Sequence, residues 1–198
     1  MRNVILFILS VAALGASGRT ATEFFTSAPA EVIRLIPEST RLDMVDYFNY
    51  GSTRASDNYF GGPARVKAIS DATVTFEVDE NVEMQIAVIP QKNDTVIAVI
   101  TTVFVPTADS SVKFYDKNWD PLKKPPYKMP EYGDWLTREG KENEAEITLQ
   151  LPFIPVYARV SDDGLSLTLT NGAKDYLSKA TLKELAPQLI PQKTIPLK

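Results

Sequence analysis

Leu165, Leu167 and Leu169 alternate with Ser166, Thr168 and Thr170, the period-two pattern of a half-buried strand. The same alternation puts Val74, Phe76 and Val78 on one face of residues 73–78, and Met84, Ile86 and Val88 on one face of residues 83–89. Residues 65–70 join the first of these through Asp71-Ala72 as a hairpin. Residues 95–105 are apolar on both faces, with Ile97, Val99 and Val103 against Val96, Ile100 and Phe104, which predicts a central strand covered on both sides. Residues 112–115 add another, so residues 65–116 read as an antiparallel meander of about five strands.

Helical spacing brackets this block. Residues 27–36 read as a helix with Ser27 as N-cap, Pro29 in the first turn and Val32, Ile33, Leu35 and Ile36 as its apolar face, ended by Pro37. Ser39 caps a second helix over residues 40–49, with a stripe of Leu42, Val45 and Phe48 widened by Met44 and a stop at Gly51. Prolines and acidic residues make residues 117–146 a connector. Residues 147–151 read as a short strand. Residues 156–160 and 165–170 form a hairpin across Ser161-Asp162-Asp163-Gly164, and Asn171-Gly172 is a turn. Ser178 caps a last helix over residues 179–186, Pro187 stops it, and the tail is extended.

The fold class is α+β: an N-terminal helical pair packed on an antiparallel meander sheet, with a second, smaller antiparallel hairpin/helix unit. The expected boundaries are 1–18 for a signal peptide, 19–116 for helices plus meander, 117–146 for the connector and 147–198 for the last unit. Alternatively, 117–198 continues the first unit as one domain.

The start of the chain reads as a signal peptide. Arg2 is followed by an apolar run from Val4 to Leu14, then by Gly15, Ala16, Ser17 and Gly18. The run is about eleven residues, short of the roughly 20 a membrane-crossing helix needs. Cleavage is expected after Gly18, with Gly15 the rival position. The remainder is expected to be soluble and exported, periplasmic or secreted. With no cysteine it carries no lipid anchor of the N-terminal cysteine type.

Composition narrows the chemistry. The 198 residues hold no His and no Cys, so there is no imidazole base, no Ser-His-Asp triad, no thiol nucleophile and no thiolate metal site. A net charge of -4 without a basic run argues against a nucleic-acid partner. No cofactor and no resident metal are expected. Ser110-Ser111-Val112-Lys113 has the S-x-x-K spacing of penicillin-recognising enzymes, but a strand sends Ser110 and Lys113 to opposite faces. Asp116-Lys117-Asn118-Trp119-Asp120 has the start of a calcium loop, yet Pro121 stands at the glycine position and Tyr127 at the closing glutamate, so a turn is expected. Carboxylate chemistry remains. Asp43 with Asp46, and the group Glu131, Asp134 and Glu139, are the candidates for a glycan hydrolase, which needs two facing carboxyls about 5–10 Å apart.

Aromatic residues crowd the stretch 114–135: Phe114, Tyr115, Trp119, Tyr127, Tyr132 and Trp135, among four of the 14 prolines. Trp119, Tyr127, Tyr132 and Trp135 are the candidate binding residues, because such side chains on a stiff surface segment give contact area at low entropic cost. The competing reading is that they form a lid over the sheet. Asp94-Thr95-Val96 fits a short O-glycosylation pattern of exported Bacteroidetes proteins, and Asn93-Asp94-Thr95 fits an N-glycan pattern.

Two segments carry a resemblance. Arg41-Leu42-Asp43-Met44-Val45-Asp46-Tyr47 and Phe114-Tyr115-Asp116-Lys117-Asn118-Trp119-Asp120-Pro121-Leu122 resemble signatures of a secreted Bacteroidales family known as domain of unknown function 3256. The resemblance implies an exported protein of an anaerobe and implies no activity. Together these readings favour a non-enzymatic binding or structural module of the bacterial cell envelope. Its partner would be a protein, peptide or glycan. The alternative is a carboxylate-based glycan hydrolase.

Overall fold

A six-stranded antiparallel meander runs through the middle of the molecule, in the order β1 (Ser56–Asp57), β2 (Pro63–Ile69), β3 (Thr73–Asp79), β4 (Val82–Pro90), β5 (Thr95–Val103) and β6 (Asp109–Tyr115). The computed structural model describes residues 18–91 and 94–197. The expected signal peptide therefore lies outside the described residues, save Gly18, and so does Asn93. A second, three-stranded sheet has the order β7 (Val156–Val160), β8 (Ser166–Asn171) and β9 (Gln192–Pro196). Helices α1 (Ala21–Ser27), α2 (Glu38–Asn49), α3 (Arg138–Glu142), α4 (Glu144–Gln150) and α5 (Lys179–Leu185) complete an α+β fold.

The large sheet is covered on both faces, as the two-sided apolar pattern of residues 95–105 predicts. Cross-strand partners Val74 and Ile86, Phe76 and Met84, and Ile86 and Val99 face the N-terminal helices. There they form one core with Phe24, Phe25, Ile33, Ile36 and Met44. On the opposite face Ala87, Ala98, Ile100 and Phe114 pack against Val156, Ala158, Leu167 and Leu169 of the small sheet. A third cluster, Leu136, Ile147, Leu151, Ala173, Leu185 and Leu189, joins the later helices.

The two sheets are joined by hydrogen bonds that imitate strand pairing. β7 is an edge strand, and its outward backbone groups meet side chains of the large sheet rather than a neighbouring strand. The Gln85 amide spans one residue: its Oε1 accepts from the Val160 N–H at 2.8 Å and its Nε2 donates to the Val160 carbonyl at 3.0 Å. Ser110 Oγ accepts from the Ala158 N–H and Asp109 Oδ1 from the Val156 N–H, each at 3.0 Å. Gln85 is buried, so leaving either of its partners bare would cost on the order of 1–3 kcal/mol. The β7–β8 turn docks on the same sheet. Gly164 has φ +72°, and a Cβ there would stand 2.5 Å from the Val88 carbonyl, so both the turn and the contact require glycine.

Four local expectations are corrected. The first helix is α1, not residues 27–36: Thr20 and Glu23 form a reciprocal capping box, Ser27 is the last helical residue, and Pro29 keeps Ala28 extended. Ile33 and Ile36 still reach the core, but from turns. The second helix begins at Glu38 with Pro37 as N-cap and no side-chain cap from Ser39. Its buried positions are Arg41 and Met44, while Leu42 is 52 % exposed and Phe48 37 %. Residues 147–151 belong to helix α4 and its C-cap, because Ile147 and Leu151 meet the core at a spacing of one turn and Leu149 faces out. Finally, the extended tail is a strand, β9, on β8.

Arg41 explains the rotated face of α2. Its Nη1 donates to the Phe25 carbonyl at 2.8 Å and the Ala28 carbonyl at 2.7 Å, closing the C-terminus of α1 where the helix dipole is negative. Burial lowers the guanidinium pKa, and Glu38 and then Tyr59 act against that shift. Substituting Arg41→Met leaves the Ala28 carbonyl buried without its donor and is expected to destabilise the protein by on the order of 3 kcal/mol in urea unfolding. The surface control Asp43→Ala should stay within about 0.5 kcal/mol.

Candidate functional site

The four candidate binding residues do not come together on one exposed surface. Trp119 is 9 % exposed and packs edge-on against Phe24 and Tyr115, on the helix-covered face of the large sheet. Trp135 is 1 % exposed and belongs to the core on the other face, with the Lys193 ammonium 5.9 Å from its ring centroid. The half-buried Tyr132 donates its hydroxyl hydrogen bond to the Leu151 carbonyl at 2.7 Å and packs against the helical cluster. Tyr127, also half-buried, borders a groove of about 500 Å³ beside β9. The aromatics of 114–135 thus divide among the three clusters, the arrangement expected of a lid.

The calcium-like loop closes on itself. Asp116 Oδ1 accepts from the Asn118 and Asp120 backbone N–H groups at 2.8 and 2.9 Å, and Trp119 takes a left-handed conformation with φ 69°. The candidate carboxylates lie on separate elements: α2 carries Asp43 and Asp46, the short helix Tyr132–Trp135 and its N-cap carry Asp134 and Glu131, and α3 carries Glu139. Asp43 and Asp46 are exposed on α2, and Asp134 accepts from the Glu131 N–H to cap the short helix Tyr132–Trp135. The structure instead places Glu77 opposite Glu83 on adjacent strands, each tied to a cation: Arg65 to Glu77 at 2.8 Å and Lys67 to Glu83 at 3.2 Å. That is a neutralised cross-strand ladder. Ser110 holds β7 while Lys113 is exposed, so the S-x-x-K pair is not assembled for chemistry. Thr95, the glycan candidate, is the first residue of β5 and half-buried.

A different surface collects exposed apolar groups. β5 ends at Val103, two residues before the expected end, so Phe104 and Val105 leave the sheet and, with the exposed Val103 side chain, project at the β5–β6 connection. They are 42 %, 41 % and 61 % exposed, and Phe153 beside them is 60 % exposed. The Phe153 ring stacks on Tyr176 with 5.7 Å between centroids, and the Tyr176 hydroxyl donates to the Phe153 carbonyl at 2.8 Å. Phe104 lies 6.2 Å from the Tyr157 ring. Between Val105, Phe153 and Tyr176 is a cleft of about 250 Å³ that also borders Thr107 and Asp109. The Thr107 hydroxyl is buried without a hydrogen-bond partner, and Asp109 is held by the Val156 N–H. A neighbouring cleft of about 170 Å³ lies between Phe104, Tyr157 and Lys174. Apolar walls with one carboxylate per cleft suit recognition of a surface or a ring; they do not supply the paired acids of glycoside hydrolysis.

This face is hidden in the sequence because Phe104 and Val105 continue the apolar pattern of the covered strand. The signal was present in Val103-Phe104-Val105-Pro106, an apolar run that continues into a proline no central strand accommodates.

The architecture defines an α+β module with a two-sided central sheet. The chain belongs to the family described as "Protein of unknown function (DUF3256)", whose pattern matches residues 13–196. It is similar in fold to the solved structure of a domain of an uncharacterized protein from Porphyromonas gingivalis W83, with a TM-score of 0.72 and 20 % identity over 88 % of this chain and 93 % of that one. No curated protein matches the chain.

Burial makes two optical predictions. Iodide should quench the fluorescence of Trp119 and Trp135 at least about fivefold less in the native protein than in urea, because neither indole is open to solvent. Burial also raises the phenol pKa of Tyr115, Tyr127 and Tyr176, with Asp134 adding to the shift at Tyr127. A pKa raised on folding contributes stability that is complete below the unfolded value of about 10 and lost as pH rises through the folded value. The urea midpoint should therefore fall above about pH 10, with phenolate absorbance of the native chain lagging the unfolded chain.

Proposed function

We propose that this protein is an exported, non-enzymatic binding module of the bacterial cell envelope. Its docking face is the surface of Phe104, Val105 and Phe153. The observation that carries the reading is the exposure of these large apolar side chains on one surface, Phe104 and Val105 directly after β5 and Phe153 in the segment before β7, where a solitary folded chain gains nothing by presenting them. Aromatic groups anchored by Tyr157 and Tyr176 lose little freedom on contact, which favours a protein, peptide or glycan partner. Export rests on the charged, apolar and small-residue order of the first eighteen residues. Among the described residues no helix is long and apolar enough to cross a membrane.

Two measurements test this. Mass spectrometry of the protein recovered from its host should find Arg19 at the N-terminus, or Ala16 if the cut follows Gly15; an intact Met1 contradicts export. Retention of purified protein by isolated host envelopes should fall at least about tenfold in the Phe104→Ser/Phe153→Ser double variant, with an unchanged urea midpoint. Equal retention contradicts the docking face. Release of reducing sugar from envelope glycans, lost when one carboxylate is made an amide, would establish the hydrolase instead.

A further inference from the structure

Among the described residues there are four sheet edges, and they are treated differently. β1 is two residues long. β6 is covered by its own continuation, through the Tyr115–Pro121 bridge and the bond from the Leu122 N–H to the Phe114 carbonyl. β7 is closed by Gln85, Ser110 and Asp109. β9 has five residues and pairs with β8 on one side; no strand covers its other side among the described residues.

The register identifies which backbone groups are open. The Leu197 N–H bonds to the Leu165 carbonyl, and the Asn171 N–H bonds to the Pro191 carbonyl. Bonded pairs recur every second residue in an antiparallel ladder, so Lys193 and Ile195 direct their N–H and C=O groups toward β8. Gln192 and Thr194 direct theirs outward. The side chains of Lys193 and Ile195 share a face with the buried Leu169 and Leu167, and with Tyr127 and Met129 they border the groove of about 500 Å³ beside the strand.

We infer that this edge takes an extended peptide as a fourth strand of the small sheet. Outward backbone groups at Gln192 and Thr194, separated by about 6.8 Å, are matched by another strand and not by a helix or a rounded ligand. Pro191 and Pro196 bound the site to a short stretch. Inward side chains of an antiparallel guest would fall opposite Ile195 and then Lys193. Ile195 offers an apolar contact with Tyr127 and Met129 nearby; Lys193 lies over Trp135 and makes no ion pair among the described residues. The guest is therefore an apolar residue followed two positions later by an acidic one. This edge shares no lining residue with the cleft at Phe153 or the cleft at Phe104, so it stands or fails independently of that face.

The test appends the strand Thr-Val-Thr-Asp-Thr to the full chain after Lys198, through a Gly/Ser linker of about six residues with a reach of ~13 Å. Intramolecular attachment supplies a local concentration in the millimolar range. Exchange of the Gln192 amide should slow at least about tenfold relative to the chain without the strand. It should return to the parent rate with Thr-Val-Pro-Asp-Thr as the guest, and with Thr194→Pro in the host. Thr194→Pro removes an outward donor without removing a bond to β8, so the fold, read as the urea midpoint of the untethered chain, is retained. Equal exchange with the threonine and proline guests overturns the inference. A dimer of the parent chain that Thr194→Pro dissociates also overturns it, because the occupant is then a second copy.

Discussion

The structure depends on the outer edge of β7 being completed by side chains instead of by another strand. A strand edge presents unpaired N–H and C=O groups at fixed spacing, and burying them bare is among the costlier errors a fold can make. Here the edge lies against a second sheet, where no third strand fits. Gln85 supplies a donor and an acceptor in amide geometry, and Ser110 and Asp109 supply further acceptors at the strand repeat. Apolar packing between Ile100, Phe114, Leu167 and Leu169 is non-directional and fixes no register. The side-chain bonds do, because a slip of one residue would leave the edge bare.

Those bonds also place the exposed surfaces. Asp109 holds Val156 directly after the segment bearing Phe153, so the β5–β6 connection and residue 153 are fixed to each other at the cleft between Val105 and Tyr176. The small sheet then has one edge committed to the large sheet and the other, β9, facing outward along the Tyr127 groove. On the opposite face of the large sheet Arg41 plays a comparable part, closing the carbonyl end of α1 with a charge that stays buried. Both devices use a polar group in a core position to specify an arrangement that hydrophobic contact leaves undetermined.

Much of the architecture is legible in the chain because period-two patterns are strong where one face is wet. Leu167 and Leu169 against Thr168 and Thr170 identify a strand without context, and Val74 and Phe76 alternate in the same way with Thr73 and Thr75 although those threonines are buried too. The helices are less legible. The Thr20–Glu23 capping box precedes only a short apolar segment, and Pro37 starts α2 without a side-chain cap. Arg41 in a core position defeats any reading that equates charge with surface, and Ile147, Leu149 and Leu151 satisfy a strand and a helix equally until Leu149 is seen to face solvent.

The candidate site was less visible still, for a physical reason. Aromatic residues attract attention as binding groups, but Trp119 and Trp135 are the large side chains with which the two cores are filled. Phe104 and Phe153 are separated by about fifty residues, and their segments reach one surface through the docking of β7 on the large sheet. Apart from Pro106, which follows the apolar run at Phe104, nothing local in their composition distinguishes them from core residues.

The most direct test of this account is native-state amide exchange at two edges of the same small sheet. If side chains complete β7, the outward amides of Val156, Ala158 and Val160 exchange as slowly as the inward amides of β8, and at least about a hundredfold more slowly than the outward amides of Gln192 and Thr194 on β9. If the β7 amides exchange as fast as those of β9, the side-chain bonds do not hold the sheets together and the account fails.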